Sequence, residues 1–470
     1  MIALRVTTFV VPPALWKVGA FSDVDDNVTA RPGPPHTRPL VPTWVGQLEL
    51  AGTPRLNPIL GSPEAHHRYA RILARLHDIP LGFVNIPICD TEHLTKRAFD
   101  AACGEFASAI RLHLQIDGLV QGLNIKESLA REAVQCRSSS DLPDWPGISV
   151  VVCTRDRADH LEWCLPHLAT LQYRGSFEII VVDNASVDGT TRDRFLELVG
   201  ADHRFRYVAE PSPGLSLARN RGLAEASHPI VAFTDDDALV DPGWLTELAV
   251  GFTRDPEAAC VTGLVPAAEL ESPAQHYFDQ RSGWSSTVAE RVFDLGDHRD
   301  PSPVYPLAGV LGTGANFAVD RSFVTKLGGF DPVLGAGGPI GGGEDRDIFY
   351  RILFGGRSIV YEPSAIVWHI HRITNRELMS QLFTWGTGLA ANLVKQMANG
   401  PRRREVYRRL PKGALHMIRL WRRDVPRNRK ALPQRSAFVM AEALGLVVGP
   451  FAYWRARRQV NNSSTDSQQE

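Results

Sequence analysis

The chain has few cysteines for its length, and none of them falls in a pairing pattern. Its 470 residues include six (Cys89, Cys103, Cys136, Cys153, Cys164, Cys260), with no Cys-x-x-Cys and no paired spacing. That argues against a thiolate zinc site or a disulfide scaffold, and leaves the thiols as reduced core residues of a cytosolic protein. Long uninterrupted apolar runs are missing as well. Near the N-terminus Arg5, Lys17 and the Pro12-Pro13 pair break up the apolar residues, so a secretory signal is not expected. The segment 437–454 (AFVMAEALGLVVGPFAYW) contains Glu442 and Pro450 and falls short of the ~20 apolar residues that a spanning helix needs. It reads as an interfacial or domain-packing helix. Net charge is also nearly absent, at −1.

That near-zero balance conceals an asymmetry. Residues 401–460 carry sixteen Lys/Arg against Glu405, Asp424 and Glu442, and the rest of the chain holds the compensating acidic excess. A basic end of this kind suits an anionic partner, either a membrane surface or a phosphate-rich polymer. Packing on the acidic remainder of the protein is the competing reading. No nucleic-acid partner is expected. The location implied is cytoplasmic, with attachment to the inner face of the cell membrane as the alternative that the basic end leaves open.

With 44% hydrophobic and 22% charged residues, the composition is that of a folded protein, and the length calls for two or three domains. Residues 1–140 read as a small α/β domain with flexible linkers. The first linker is polar and proline-rich (22–40), and a second runs over 137–147. Between them the pattern predicts a strand at 45–50, an amphipathic helix at 63–76, a strand at 81–88 and a helix at 94–114. Residues 376–470 read as a basic helical region.

The middle of the chain, 147–375, has a regular rhythm. Apolar strand candidates begin at Ile148, Phe177, Phe205, Ile230 and Ala259, 25–29 residues apart, which is the length of a strand–helix step in a parallel sheet. Ala158, Leu161, Leu165 and Leu168 share one helical face. Apolar strands covered by helices on both sides make a doubly wound α/β domain. Further strand segments are expected at 359–361 and 365–369.

The chemistry gathers where these strands end. Asp235, Asp236 and Asp237 close the apolar run 230–234. Strand alternation puts Asp235 and Asp237 on one side and Asp236 on the other. Paired carboxylates at the ligand edge of an open sheet suit a hard divalent cation such as Mn²⁺ or Mg²⁺, although an acidic turn has the same residues. Thr154, Arg155 and Arg157 follow the first strand, where a hydroxyl and guanidinium groups can hold a nucleobase or a diphosphate. Asp183 follows the second strand and is placed to accept from a base N–H; Asp188 fits a helix cap better. Arg219 and Asn220 lie on a helix whose start is near the same edge, and charge pairing within the domain is the plainer role for Arg219. A second acidic cluster, Glu344-Asp345, follows a stretch with six glycines in 335–343. Such a loop suits a flap, and a carboxylate at its hinge suits a general base.

In order, VVVCTRDR (150–157), EIIVVDNAS (178–186), PGLSLARNRGL (213–223), FTDDD (233–237), GANFAVDR (314–321), LGGFD (327–331), GGEDRD (342–347) and VWHIHR (367–372) resemble the family 2 glycosyltransferases with the GT-A fold. The resemblance covers about half the chain. It implies a nucleoside-diphosphate sugar donor and a hydroxyl acceptor, taken here as a cell-envelope glycan, a lipid-linked saccharide or another glycoconjugate. Transfer would invert the anomeric centre by direct displacement. By the same resemblance Thr154 and Asp183 contact the base, Asp235 the ribose, and Asp237 the cation. Asp345 is the base, with Glu344 next in line, and His369 is a metal or phosphate ligand. The Gln-x-x-Arg-Trp motif of processive synthases is missing, which favours transfer of one or a few sugars. Two other functions compete. A sugar nucleotidyltransferase would need a glycine-rich basic loop after the first strand, where this chain has no glycine. A catalytically silent membrane- or polymer-binding protein would have no use for intact Asp235, Asp237 and Asp345.

Overall fold

The computed structural model describes residues 41–116, 124–130, 142–295, 311–338, 340–401, 403–424 and 432–466. The 22–40 linker and residues 137–141 of the second one lie outside these residues. Described first is a four-stranded sheet made of β1 (Thr43–Glu49), β2 (Arg55–Pro58), β3 (Tyr69–Leu76) and β4 (Ile79–Pro87), in the order β2-β1-β3-β4. Strands β1 and β3 are parallel and the other neighbours antiparallel. Three helices follow: α1 (Leu94–Glu105), α2 (Ala107–Ile116) and the short α3 (Ile125–Ala130).

The helix predicted over 63–76 is a strand in its second half. Ile72, Leu73 and Leu76 have helical spacing, but both faces of this segment are buried, and alternation decides the outcome. Ala70, Ile72, Ala74 and Leu76 turn toward the core shared with α1 and α2. On the other face Leu73 joins Leu239, Leu264 and Trp368, while Arg71 and Arg75 pair with Asp279 and Asp241. The long helix predicted over 94–114 is broken at Phe106. That ring lies against Gly82, whose φ of +142° and lack of a side chain make room for it: a Cβ there would sit 2.7 Å from the ring.

The larger sheet is built from β5 (Ile148–Thr154), β6 (Phe177–Asn184), β7 (Phe205–Glu210), β8 (Ile230–Asp235), β9 (Ala238–Val240), β10 (Ala258–Leu264), β11 (Arg291–Phe293), β12 (Asn316–Asp320) and β13 (Ser358–His369). Its order is β11-β13-β10-β12-β8-β5-β6-β7, with β9 paired to β13. Strands β5 to β8 are parallel neighbours, as the 25–29-residue rhythm predicts. The sheet is mixed because β12 runs antiparallel between β8 and β10. Helices α4 (Ala158–Ala169), α5 (Thr190–Val199) and α7 (Trp244–Thr253) meet Ile179 and Val181 on one side. Helices α6 (Leu215–Glu225), α9 (Arg321–Lys326) and α10 (Glu344–Phe354) belong with Ile180 and Val182 on the other. This is a doubly wound α/β architecture with a mixed sheet. The two segments expected at 359–361 and 365–369 form one strand, β13, whose register against β10 slips between Glu362 and Ile366 and so absorbs Pro363.

Helix α8 (Pro273–Ser282) lies between β10 and β11. The last described elements are α11 (Asn375–Asn399), α12 (Arg403–Asp424) and α13 (Leu432–Asp466).

Candidate active site

Strands β5, β6 and β8 end at one edge of the sheet, with Thr154 level with Asp183 and Cys153 level with Asp235. After β8 the chain turns at 236–237 and returns as β9, which pairs with the end of β13 and sets Ala238 opposite His369. This pairing brings together residues more than 130 positions apart. Ligand atoms of Asp235, Asp237 and His369 all lie within 4.8 Å of one another. His369 Nε2 is 3.3 Å from Asp237 Oδ1, while Arg372 and Arg157 approach Oδ2 at 3.2 and 3.5 Å. Burial works against ionising Asp237, but His369, Arg372 and Arg157 outweigh it and hold this carboxyl well below the usual range. Burial likewise opposes charge on His369, yet Asp237 raises its pKa. His371, beside it at 3.2 Å, is pushed well below the ordinary value, first by burial and then by His369.

Asp236 is not set apart from Asp237 as strand alternation would have it, since ligand atoms of Asp236, Asp237 and His160 all lie within 4.8 Å of one another and Arg157 reaches both carboxylates. Asp236 is buried and accepts from Thr154 Oγ1 at 2.7 Å and Arg157 Nη1 at 2.9 Å. Thr154 and Asp236 therefore satisfy each other at the floor of the site. Asp183 is similarly occupied, accepting from the hydroxyls of Ser186 and Tyr207. Arg155 is exposed and lies over Gly337 of the glycine-rich loop. Asn220 pairs with Phe330, upstream of that loop: its amide donates to Phe330 O at 2.8 Å and accepts from Phe330 N at 2.7 Å. Asp188 accepts from Thr190 N at 3.0 Å, at the start of α5.

Arg219 joins the two acidic clusters. It is buried, donates through Nη1 to Glu344 Oε1 at 3.0 Å and through Nη2 to Asp235 Oδ1 at 3.2 Å, and also reaches Gly314 O at 3.0 Å. The charge-pairing role set against a binding role for Arg219 is thus observed, and its partners are the candidate site residues themselves. Glu344 is pushed up to about 7, first by burial and then by Asp345. Asp235 is pushed up to about 6 by burial, against the pull of Arg219. Asp345 is half-buried, with Oδ2 accepting from Gly314 N at 3.0 Å. A Cβ at Gly314 would sit 2.9 Å from Arg219 Nη2, so a larger residue there would press on the guanidinium. Arg157, Arg372 and His371 enter the cation site without a sequence-based expectation of that role. Arg372 and His371 stand within the VWHIHR block, which was the available signal.

The arrangement offers two carboxylates and an imidazole for a cation, arginines for anionic groups, and a separate carboxylate pair across Arg219. Residues 149–305 match the family described as Glycosyl transferase family 2. The chain is 32% identical over 255 residues to a pre-mycofactocin glycosyltransferase of Mycobacterium tuberculosis, covering 54% of this chain and 48% of that one. It is 31% identical over 232 residues to the succinoglycan biosynthesis protein ExoM of Rhizobium meliloti, covering 47% of this chain and 65% of the relative. It spans about half the length of the mycobacterial relative. Among solved structures it is similar to the mannosyltransferase PcManGT from Pyrobaculum calidifontis in complex with GDP-Man and Mn²⁺, with 18% identity, a TM-score of 0.45, and coverage of 74% of this chain and 96% of that one. The ordered blocks, the family match over residues 149–305 and these relatives support a family 2 glycosyltransferase.

Proposed function

We propose that the protein is an inverting, metal-dependent glycosyltransferase that moves a sugar from a nucleoside-diphosphate sugar to an acceptor hydroxyl on a cell-envelope glycan, a lipid-linked saccharide or another glycoconjugate. The observation that carries this is the Arg219 bridge, which fixes the cation-type cluster and the Glu344-Asp345 pair on two sides of one site. The donor set of Asp235, Asp237 and His369 fits Mn²⁺, and Mg²⁺ suits its two carboxylates. A divalent cation bound there would neutralise the diphosphate and ease its departure.

The chain's own residues do the rest. Arg157 and Arg372 stand beside Asp237, where a leaving diphosphate would place its remaining charge. Asp345 accepts the proton of the acceptor hydroxyl as the new C–O bond forms and the bond to the diphosphate breaks, so no covalent intermediate is needed. Its half-buried carboxylate is the more accessible of the pair, because Glu344 is buried with Oε1 held by Arg219.

A panel of nucleotide sugars with Mn²⁺ should identify a donor that the protein converts to free nucleoside diphosphate. Calorimetry should then show metal-dependent binding of that donor, sharply weakened by Asp237→Asn. Equal binding by the parent and the variant, with or without a chelator, would sink the assignment.

A further inference from the structure

Helix α13 has two faces of different character. Phe438, Glu442, Gly445, Gly449, Tyr453 and Ala456 face inward. The helix meets α11 backbone to backbone: a Cβ on Gly445 would be 2.1 Å from Phe383 O, and one on Gly449 would be 2.6 Å from Thr387 O. Glu442, the one acid in the apolar stretch, is buried; Arg281 of α8 donates to its two oxygens at 2.9 and 2.8 Å, and Trp421 Nε1 at 3.0 Å. Trp421 and Tyr453 thus belong to the packed side. The opposite face shows Met440, Leu444, Val447, Phe451 and Trp454 at 69, 57, 65, 79 and 58% exposure. Their spacing of three and four residues makes one continuous stripe.

Basic groups border that stripe. Arg455 and Arg458 are exposed at its end, and the Arg458 guanidinium lies over the Trp454 ring at 3.4 Å. Helix α12, packed against α11 and α13, mixes exposed Tyr407, Leu415 and Ile418 with exposed Arg404, Arg408, Lys412 and Arg422. Long cationic side chains beside apolar ones fit a lipid headgroup layer, with apolar groups entering the acyl boundary and guanidinium groups meeting phosphate.

We infer that the exposed face of α13, with the basic side chains of α12 and of its own last turns, docks on an anionic phospholipid bilayer. The helix lies in the interface and does not cross it. By length and composition Arg435–Arg458 could cross a membrane, but the exposed stripe from Met440 to Trp454 is only ~21 Å long at 1.5 Å per residue, short of a ~30 Å hydrocarbon core. Its other face is committed to α11 and to the Glu442–Arg281 pair. A second copy of the chain is a poorer occupant, since pairing this face with itself would set arginines against arginines. The inference has a consequence for the site, and this part rests on the sugar-transfer reading. Helices α11 and α13 both meet the glycine-rich loop: Thr387 donates to Ile340 O at 2.9 Å and Asn392 to Gly343 O at 3.2 Å, and Tyr453 and Ala456 share an apolar cluster with Leu334 and Ile340. The catalytic carboxylates begin just after Gly343, so among the proposed acceptors a lipid-linked one is favoured.

Co-sedimentation of the full chain with vesicles of phosphatidylcholine plus phosphatidylglycerol tests the docking. The parent should pellet with these vesicles, less so as salt is raised, and should stay in solution with pure phosphatidylcholine. The double variant Leu444→Asp/Phe451→Asp should partition at least ~10-fold more weakly, with circular dichroism confirming its fold. Trp454→Ala, a milder change, should weaken partition in the same direction. Failure of the parent to pellet, equal binding to neutral vesicles, or unchanged partition of both variants would overturn the inference. So would a parent that self-associates through this face in analytical ultracentrifugation without binding vesicles. Nucleoside-diphosphate release in vesicle-free solution should be the same in parent and variants; its absence from all of them would count against the transferase reading and leave the docking result standing.

Discussion

A single guanidinium organises the candidate site. Arg219 can serve Asp235, Glu344 and the Gly314 carbonyl together because its fork presents several donors in one plane. The sequence showed it on a helix near the ligand edge, but its partners are 16 and 125 positions away, and only the tertiary fold brings them within reach. Asp345 was legible from its place after the glycines; its hydrogen bond from Gly314 N was not. Replacing Asp345 with Asn keeps the shape and removes the proton acceptor, so turnover should fall ~10²–10⁴-fold with donor affinity nearly intact. Parent-like turnover would move the base to Glu344. Away from the site, Glu247 is pushed up to about 7, first by burial and then by Glu362. A raised carboxyl favours the folded state below its unfolded value, and that contribution is lost as pH climbs through the folded value. Urea denaturation of Glu247→Gln should therefore show stability gained over the parent near pH 8, by up to ~3 kcal/mol, and little difference near pH 4. Equal differences at both pH values would mean that Glu247 ionises in the fold as it does in solvent.

At the scale of elements, periodicity was most informative where a segment has one buried face or a regular repeat. The five strand candidates from Ile148 to Ala259 correspond to β5, β6, β7, β8 and β10, because each must end a step of similar length. Elements buried on both faces were harder to read. In β3, leucine and isoleucine occur at helical and strand spacings alike, and the two arginines that mark its outward-looking face are themselves consumed by ion pairs. The break between α1 and α2 has no proline to announce it; it depends on Phe106 filling the space over Gly82. The α13 stripe was half legible. Phe451 and Trp454 are exposed as a surface role requires, whereas Tyr453 and Trp421 are drawn inward by contacts with α11 and Glu442 that composition does not reveal.

On the scale of the whole molecule, the N-terminal sheet is tied to the segments that hold the cation-type cluster. Leu270 pairs with Thr43, and Ala268 N donates to His369 O at 2.9 Å, so strand β1 supports the loop that supports His369. Glu271 takes hydrogen bonds from both His66 and His67, and Arg71 meets Asp279. The strongest of these ties is Arg75 with Asp241, 2.6 Å apart and each about 7% exposed, next to the turn that starts α7. Two buried charges hold each other here, and removing one leaves the other without compensation. Arg75→Met should thus destabilise the protein by ~3–5 kcal/mol, while Arg75→Met combined with Asp241→Asn should recover much of that loss. Chemical denaturation of the parent, the two single variants and the double variant closes the cycle. Strictly additive losses would mean that the pair contributes nothing as a pair, and that the two sheets are held together by the remaining polar ties and the Leu73, Leu239, Leu264 and Trp368 contacts.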